Sequence, residues 1–489
     1  MKVVIIGSGF AGLSAAINLS RAGVSVEVIS SEPQGGSSPK AQGGIAIPLD
    51  AGDVELHVQD TIKAGKGLND EGVVRQIVGL GQETLDWLRS LGFEPDFERS
   101  LEAGHSRPRV VRAKLADSIG AEVMKVLERA FPNVERDEAL SLLVENGKVV
   151  GVKTKKGELQ ADSVVLATGG YSGLYQYRTN DGLGIGTWMA FQAGAYLRDL
   201  EFVQFHPTVA FAGESAPGLL LTEALRGEGA KLLNDKGERF AFKYDPAGEL
   251  ATRDVLSRAE RHELSEGRTV YLDVRGVPRF SERFPFIYSE LKKMGIDPSR
   301  DLVPVRPGSH FTIGGVAVDA AGRSSVRGLF ALGEAGNGLL HGANRLASNS
   351  ILWALAQGFL LAQALQNYAK SGSWPLAAQA NSIGGGTEVI RGSPFPRPSD
   401  LVLSCDPAEI PQLNGEEELR SVRKAMWDCV SLVRDEELLE KASSSTRGLA
   451  RLVVLSALAR RDSVGVHFRS DYPSPPLLPY HVYVKGEAN

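Results

Sequence analysis

The chain has 489 residues, and its 54 lysines and arginines against 59 aspartates and glutamates give a formal net charge of -5. At roughly 150 residues per domain, this length predicts about three domains or two large ones, and the lack of basic excess argues against nucleic acid as a partner. Two cysteines are too few for a disulfide framework or a four-cysteine iron–sulfur cluster, which favours a reducing, cytoplasmic environment.

The first thirty residues predict a βαβ unit with a dinucleotide-binding turn. The turn lies between two apolar runs, and it consists of Gly7, Ser8, Gly9, Phe10, Ala11 and Gly12. Its glycines would let a pyrophosphate approach the free N–H groups at a helix N-terminus, although a merely structural turn is the alternative. The residue that usually binds the ribose is acidic. Here that position is Ser30, followed by Ser31, with Glu32 as a second candidate.

A second glycine-rich segment, 35–44, is predicted to lie against a flat cofactor and its phosphates, with a flexible surface loop as the alternative. Its candidate contacts are Ser37, Ser38, Ala41, Gln42, Gly43 and Gly44. A later strand, 163–166, ends in Ala167, Thr168, Gly169 and Gly170. Strand ends of this kind line a dinucleotide crevice.

The composition changes near residue 200, where charges and histidines replace the glycine clusters, and the glycine-rich pattern returns near 311. This predicts a discontinuous cofactor domain (1–199 and 312–385) that is interrupted by a capping domain (200–311). Glycines 384–386 and the prolines of 394–398 predict a linker, after which helical spacing predicts a helical domain at 400–489. The apolar run 351–365 is shorter than the roughly 20 residues that span a bilayer, so we expect a buried helix and no membrane contact.

Polar residues in apolar or glycine-rich surroundings mark the predicted substrate site. They are Gln204, His206, Thr222, Glu223, Arg226, Arg253, His310, His341, Asn344 and Arg345. Two arginines and two histidines that converge beside a cofactor would bind carboxylates, which predicts a small dicarboxylate substrate. Taken singly, each residue has a simpler explanation, such as a core histidine or an ordinary ion pair. The histidines lack the spacing of metal ligands, so we expect no metal.

Together these motifs resemble the flavoproteins of the succinate dehydrogenase and fumarate reductase superfamily. The resemblance follows the order and spacing of the motifs over nearly the whole chain, at 7–12, 41–44, 167–170, 204–208, 222–224 and 341–345, and a reduced form of the C-terminal motif lies at 461–467. It implies an α/β fold, with a Rossmann-like FAD-binding domain, an inserted α+β capping domain and a C-terminal helical bundle. Within the superfamily, the aspartate-oxidising branch is the most similar.

Two positions separate the branches. Members of membrane complexes attach FAD through a histidine five residues before the glutamine of the Ala-Gln-Gly-Gly motif, and the corresponding residue here is Ser37, which implies non-covalent FAD. Glu102 matches the acidic residue that aspartate-oxidising members place near the substrate amine, and a carboxylate there favours an ammonium-bearing dicarboxylate. The alternative for Glu102 is a solvated loop charge.

The same matching implies the individual contacts. The residues around the substrate are Glu102, Gln204, His206, Thr222, Arg253, His310, Arg345 and Ser348, with catalytic roles for Arg253, His206, His310 and Arg345. Beyond the glycine motifs, the implied FAD contacts are Glu138, Ala139, Asp181, Glu334, Ser350 and Ile351. The segment around Asp181 departs from the Gly-Asp-Gly of relatives, which weakens that contact.

The implied reaction is oxidation of L-aspartate to iminoaspartate, a step of NAD biosynthesis, with hydride transfer to FAD. Oxygen or fumarate would then reoxidise the cofactor, and a quinolinate-forming enzyme is the implied downstream partner. Arg253 matches the family's proton shuttle, but an arginine pKa lies above roughly 12, so charge positioning and proton transfer both stay open. The alternatives are a soluble fumarate reductase or succinate-oxidising enzyme, and the flavoprotein subunit of an electron-transfer complex.

Overall fold

The structure is a computed structural model, and it describes residues 1–114, 117–213, 216–371, 374 and 396–486. The elements up to residue 166 are β1 (Lys2–Ile6), α1 (Phe10–Arg21), β2 (Ser25–Ser30), β3 (Ile45–Ala46), α2 (Ala51–Ala64), α3 (Glu71–Gly79), α4 (Gly81–Ser90), β4 (Pro95–Ser100), β5 (Val110–Ala113), α5 (Ile119–Ala130), β6 (Val134–Arg136), β7 (Ala139–Glu145), β8 (Lys148–Thr154), β9 (Glu158–Gln160) and β10 (Ser163–Leu166). The elements from 185 to 312 are α6 (Ile185–Gln192), β11 (Tyr196–Arg198), β12 (Val203–Ala210), β13 (Leu219–Leu220), α7 (Glu223–Gly227), β14 (Lys231–Asn234), α8 (Arg253–Ser265), β15 (Val270–Asp273), α9 (Phe280–Arg283), α10 (Pro285–Lys293) and β16 (Val303–Thr312). The remaining elements are β17 (Gly315–Ala317), β18 (Leu329–Ala331), β19 (Gly336–Asn337), α11 (Asn349–Ser371), β20 (Leu401–Cys405), α12 (Gly415–Val430), α13 (Glu436–Ser445), α14 (Gly448–Ala459) and β21 (Val482–Gly486).

A parallel sheet in the order β18-β10-β1-β2-β6 forms the base of the site. The last residues of its three adjacent strands, Ile6, Leu166 and Ala331, lie in register. The strands read as continuous apolar runs because both faces of the sheet are covered. Their carboxyl ends therefore bring three glycine-rich turns to one edge, where such sheets bind ligands.

Helix α1 packs against α11, and the two cover one face of this sheet. The Ser14 hydroxyl donates to the carbonyl of Leu355 at 2.7 Å. A Cβ at Gly358 would lie 2.3 Å from Oγ of Ser14, so the two helices approach closely because glycine occupies this position. The run at 351–365 is accordingly the buried helix that its sequence predicts.

Residues 200–311, here called the middle segment, carry a second sheet in the order β13-β12-β16-β15-β14. Helix α8 packs against β12, β15 and β16 of this sheet, and the segment has its own apolar core. Strands β12 and β16 pair antiparallel, with irregularities after Gln204 and after His206. Irregularities of this kind change the direction of side chains along a strand. Both irregularities in β12 adjoin predicted substrate residues, Gln204 and His206.

The C-terminal part contains the predicted helices α12, α13 and α14, which pack on one another. It also contains two strands that the sequence did not predict. Strands β20 and β21 extend a sheet in the order β19-β17-β11-β21-β20, so the tail returns to the sheet of the cofactor part. Buried Arg460 fixes this return, since it pairs with Glu201 at 2.5 Å and with Asp199 at 3.2 Å.

The domain boundaries stay predictions. Strand β16 runs continuously through the predicted boundary at 311 and 312. The predicted end of the cofactor domain at 385, the linker glycines 384–386 and Pro394 lie outside the described residues. In the part of the chain that the structure describes, no helix is long and apolar enough to cross a membrane.

Candidate active site

Gln204 is the centre of the polar cluster. Its Oε1 accepts hydrogen bonds from Nε and NH2 of Arg345, both at 3.2 Å, and from NH1 of Arg253 at 3.1 Å. Its Nε2 donates to Oδ1 of Asn344 at 2.8 Å and to the carbonyl of Arg345 at 2.9 Å. One amide oxygen therefore holds both arginines close together. Two guanidinium groups in this arrangement can bind an anionic ligand.

The two predicted histidines lie together, with ring centroids 5.4 Å apart. Nδ1 of His206 accepts from the N–H of Thr208 at 3.2 Å, and Nδ1 of His310 lies 3.0 Å from the Thr179 hydroxyl. Burial and the nearby arginines hold the pKa of each histidine well below its ordinary value. Both rings are therefore neutral near pH 7. His206 carries its proton on Nε2, because its Nδ1 accepts, and Nε2 can donate to a carboxylate.

Besides Gln204, the buried Arg345 side chain contacts Ser350 and Phe311. Its NH1 donates to the hydroxyl of Ser350 at 2.6 Å, and its guanidinium lies over the ring of Phe311 at 4.5 Å. Burial, reinforced by the charge of Arg253, lowers the pKa of Arg345 to about 9. The side chain keeps its charge at neutral pH, but its partners among the described residues are the neutral side chains of Gln204 and Ser350, and no carboxylate lies within ion-pair distance there. An anionic ligand would supply that partner.

Arg253 begins helix α8 and pairs with Glu223 through Nε at 2.7 Å. Thr222 directly precedes helix α7 and is buried. Burial alone would raise the pKa of Glu223, but Arg253 and Arg226 outweigh it and hold the value at about 2. Glu223 is therefore ionised and fixes Arg253 beside Gln204.

Glu102 is buried rather than solvated, so the surface-loop alternative does not describe it. Its Oε2 accepts from the hydroxyl of Ser348 at 2.6 Å, and Ser348 Oγ accepts from the N–H of Gly44 at 3.2 Å. Ser348 has a φ of 62°, a left-handed conformation that costs a non-glycine residue about 1 kcal/mol or more. Oε1 of Glu102 is buried without a hydrogen-bond partner among the described residues, so the site offers it to a donor from a ligand.

The carboxyl edge of the parallel sheet forms a cradle in which side chains would clash. Gly7 has a φ of 108°, and a Cβ there would lie 2.3 Å from the carbonyl oxygen of Ala167. A Cβ at Gly12 would lie 1.9 Å from the Gly7 carbonyl, and one at Gly170 would lie 2.2 Å from the carboxylate of Glu334. Backbone can thus come close to a pyrophosphate at the start of α1.

Buried polar atoms without partners line the same cradle, as expected where a cofactor binds. Within the described part of the chain, they include Oε1 of Gln42 and Oγ1 of Thr168. Oε1 of Glu334 accepts from the N–H and hydroxyl of Thr312 at 2.8 and 3.0 Å. Burial raises the pKa of Glu334 to about 7 despite these bonds, so near neutrality its carboxyl can also donate to a hydroxyl. The residues present therefore fit FAD.

The other predicted cofactor residues lie around this cradle. The backbone N–H of Phe10 donates to Oγ of Ser38, and Ser8 donates to the carbonyl oxygens of Glu32 and Pro33. Ser30 Oγ accepts from the N–H of Glu32 at 3.2 Å. Three of the remaining residues are buried (Ala11, Ala139 and Ile351), and five are partly buried (Gly9, Ala41, Gly43, Glu138 and Gly169). Ser31 and Ser37 are exposed.

The Asp181 carboxylate has two arginine partners. Oδ1 of its carboxylate accepts from Nε of Arg178 at 2.8 Å and from NH2 of Arg423 at 3.3 Å. Its side chain is 53% exposed. The side chain thus links the 180–184 loop to α12, and the role of Asp181 as a cofactor contact stays a prediction.

Three residues of the site had no assigned role in the sequence. Glu223 and Arg226 form a buried pair with the arginine of α8, and both ring nitrogens of His341 are buried without partners among the described residues. Burial lowers the pKa of His341 to about 3. Their signal in the sequence was a set of polar residues within apolar or glycine-rich runs, which indicates position but not partner.

Comparisons with known proteins agree with this geometry. Residues 2–351 match the FAD binding domain family, and the site and fold together define an FAD-dependent oxidoreductase. The chain is 40% identical to L-aspartate oxidase from Pyrococcus abyssi over 97% of this chain and 96% of that protein. It is also 40% identical to L-aspartate oxidase from Agrobacterium fabrum over 96% of this chain and 91% of that protein. The chain belongs to the L-aspartate oxidase family.

Among solved structures, the chain is similar to a mutant of the E. coli quinol fumarate reductase chain FrdA. The TM-score is 0.83 at 27% sequence identity, and the match covers 98% of this chain and 94% of that one. The adenylylsulfate reductase of Archaeoglobus fulgidus has a TM-score of 0.68 at 16% identity, covering 98% and 92% of the two chains. The second match concerns the fold alone.

Proposed function

We propose that this protein oxidises L-aspartate to iminoaspartate with FAD, as a step of NAD biosynthesis through quinolinate. The observation that carries the proposal is the pairing of two unlike features in one buried site. Two arginines converge on Gln204, and Glu102 offers a free carboxyl oxygen nearby. A ligand with two carboxylates and one ammonium group satisfies both features.

The substrate's carboxylates are held by the cationic side of the site. Arg345 supplies a planar guanidinium, which binds a carboxylate through two parallel hydrogen bonds. His206 and His310 are neutral donors, and Thr222 adds a hydroxyl at the start of α7. Because these groups are already fixed by protein partners, little reorganisation is needed when the substrate binds.

The amine selects between dicarboxylates. Oε1 of Glu102 accepts an N–H of the substrate ammonium, while Ser348 holds Oε2 at 2.6 Å. Succinate has no donor to place there and would leave the buried oxygen unpaired, which costs about 1–3 kcal/mol. The cost of this unpaired oxygen favours aspartate over succinate as substrate, and so favours an aspartate oxidase over a fumarate reductase.

FAD supplies the hydride acceptor when it is bound. The residues that would hold it are the turn at 7–12, the segment 35–44, Thr168, Gly170 and Glu334. Binding is non-covalent in this proposal, because Ser37 occupies the position at which relatives carry the attaching histidine and serine cannot form that link. Oxygen or fumarate takes the electrons, and a quinolinate-forming enzyme uses the unstable imine product.

In this proposal the middle segment acts as a cap, and the C-terminal helices form a bundle that packs on the cofactor part. Arg253 and Glu223 belong to the middle segment, whereas Glu102 and Arg345 lie outside it. The N–H of Ala103 donates to Oε1 of Glu223 at 3.0 Å, which joins the two sides next to the substrate. Closure over the cofactor would exclude water during the reaction, and the whole protein would work in the cytoplasm.

Replacing Glu102 with glutamine tests the amine contact. We expect kcat/KM for L-aspartate to fall by about 10- to 100-fold, since a hydrogen bond to a charged group contributes about 1.5–3 kcal/mol. Succinate and fumarate should bind as well as before or better. Flavin absorbance titrations and steady-state rates for each ligand measure this change.

Glu98→Gln is the matched control, because Glu98 is exposed on neighbouring strand β4 and should leave all rates unchanged. An E102Q enzyme that kept the wild-type preference for aspartate over succinate would show that Glu102 does not bind the substrate's ammonium group.

A further inference from the structure

His105 links the two loops that carry the contacts for the substrate amine. Its backbone N–H donates to the carbonyl of Glu102 at 3.1 Å, so the imidazole belongs to the same turn as that carboxylate. Ring atom Nε2 lies 2.9 Å from the carbonyl oxygen of Ala347, which directly precedes Ser348. The histidine is buried, with 7% of its surface exposed. One side chain therefore joins the turn of Glu102 to the loop that supplies its hydroxyl partner.

The partners of the imidazole fix its tautomer. NH1 of Arg109 lies 3.0 Å from Nδ1 of His105, and a guanidinium can only donate hydrogen bonds. Nδ1 is therefore an acceptor, so the ring proton is on Nε2, which donates to the carbonyl of Ala347. A second proton on the ring would bring two N–H donors and two positive charges together at Nδ1. The ring is accordingly neutral, and burial lowers the pKa of His105 below its ordinary value.

Arg109 can impose that tautomer because it is itself held in place. Its Nε and NH2 donate to the two carboxylate oxygens of Asp53 at 3.1 and 2.8 Å, and its NH1 donates to Asp60 at 2.6 Å. A guanidinium bound by carboxylates on two sides stays ionised and keeps its orientation. Asp60 also accepts from the N–H of Ser106 at 2.8 Å, directly after His105. The imidazole thus contacts an ion cluster whose carboxylates belong to α2.

The carbonyl that His105 holds controls the conformation of Ser348. The oxygen of Ala347 lies in one rigid peptide plane with the nitrogen of Ser348, so the direction of this carbonyl is tied to the φ angle of the serine. The following carbonyl, that of Ser348, accepts from the N–H of Ala46 at 3.0 Å. With both peptides held, φ stays at 62°, a left-handed value that serine keeps only where its surroundings enforce it. In this conformation Oγ of Ser348 donates to Oε2 of Glu102 at 2.6 Å.

We propose that His105 is a positioning residue that makes the site selective for the ammonium group of the substrate. Its hydrogen bond to Ala347 keeps Ser348 in the left-handed conformation, and Ser348 in turn directs Oε1 of Glu102 toward the amine. The inference rests on the proposed function, in which Glu102 binds the ammonium group, and it names what holds that carboxylate in place. His105 acts without touching the substrate.

Two substitutions of His105 separate its two side-chain hydrogen bonds. Asparagine keeps an acceptor near the position of Nδ1 for Arg109, but it is too short to donate to the carbonyl of Ala347. Glutamine is longer and places an amide N–H near the position of Nε2, so it restores the bond to Ala347. His105→Asn should therefore lose the orientation of Glu102, and His105→Gln should recover most of it.

The preference for the amine is measured as the ratio of two dissociation constants, that of succinate to that of L-aspartate. Flavin absorbance titration of the holoenzyme gives the first constant, and the concentration dependence of anaerobic flavin reduction gives the second. His105→Asn should lower the ratio by about tenfold or more, the range for one hydrogen bond to a charged group. The change should come from L-aspartate, with the succinate constant within about twofold of wild type. His105→Gln should keep the ratio within about threefold of wild type.

Combination with Glu102→Gln tests whether His105 acts through that carboxylate. In the E102Q background, His105→Asn should change the ratio by less than about twofold, because substitutions that act through one shared contact are not additive. His57→Asn is the matched control. The His57 ring is buried with its centroid 5.9 Å from that of His105, but its Nε2 bonds to Asn349. This control should lower the Tm and leave the ratio unchanged.

An H105N enzyme with the wild-type ratio would overturn the proposal, as would equal weakening of succinate and L-aspartate binding. An H105N effect that persists in full in the E102Q background would also overturn it, and so would an equal loss in H105Q. In each of these cases, reduction of the wild-type flavin by L-aspartate would still support the proposed function. A wild-type flavin that L-aspartate does not reduce would instead contradict the proposed function, and this inference with it.

Discussion

Replacing Arg345 with leucine should reduce kcat/KM for L-aspartate by about 10³-fold. Truncating one partner of a buried, hydrogen-bonded charge pair costs about 2–5 kcal/mol, and each 1.4 kcal/mol is tenfold. In this protein Arg345 is the guanidinium placed by Gln204, Ser350 and Phe311. Its removal takes away the guanidinium that binds the carboxylate and leaves Oε1 of Gln204 with two hydrogen bonds fewer. Anaerobic flavin reduction and substrate titration would both show the loss.

Arg345→Lys separates charge from shape. Lysine keeps the charge but cannot make two parallel hydrogen bonds, so we expect activity between those of wild type and the leucine variant. FAD content and Tm control for folding. An R345L enzyme that retained activity within about tenfold of wild type would exclude Arg345 as the main carboxylate contact.

Replacing Arg253 with lysine should lower the rate of flavin reduction by about 10²- to 10³-fold, the range for removal of one preorganised donor at a reacting centre. The guanidinium now spans Glu223 and Gln204. An ammonium group cannot donate to both in the same directions, so its charge moves relative to the substrate. A larger loss with fumarate as acceptor than with oxygen would identify proton transfer, and equal losses would identify charge positioning.

Arg258→Lys is the matched control for this variant. Arg258 lies one turn further on α8, pairs with Asp254 at 3.0 Å and is partly exposed. We expect wild-type rates from it. Near wild-type activity of R253K itself would contradict both roles of Arg253.

The cofactor cradle was predictable from the sequence because its requirements are local. Close approach of backbone to a phosphate needs glycine at set positions after a strand, and Gly7 and Gly12 meet that need within one βαβ unit. The convergence of Arg253 and Arg345 was predictable only as a resemblance. Its physical cause, a shared acceptor on Gln204, depends on strand irregularities in β12 that no short motif encodes.

Long-range pairing explains what the sequence did not predict. Asp181 follows a cofactor-like pattern, but Arg423, 242 residues later, takes its carboxylate. Strands β20 and β21 lie in a tail whose spacing favoured helices, and they form because β11 offers an edge.

Anaerobic reduction of the enzyme-bound flavin distinguishes a site specific for L-aspartate from one that accepts any small dicarboxylate. The purified holoenzyme would be mixed without oxygen with L-aspartate, D-aspartate or succinate, and the flavin absorbance followed. We expect rapid bleaching by L-aspartate and little or none by the other two, because Glu102 and the arginine pair together fit an L-amino dicarboxylate. Bleaching by succinate alone, or by none of the three, would contradict it.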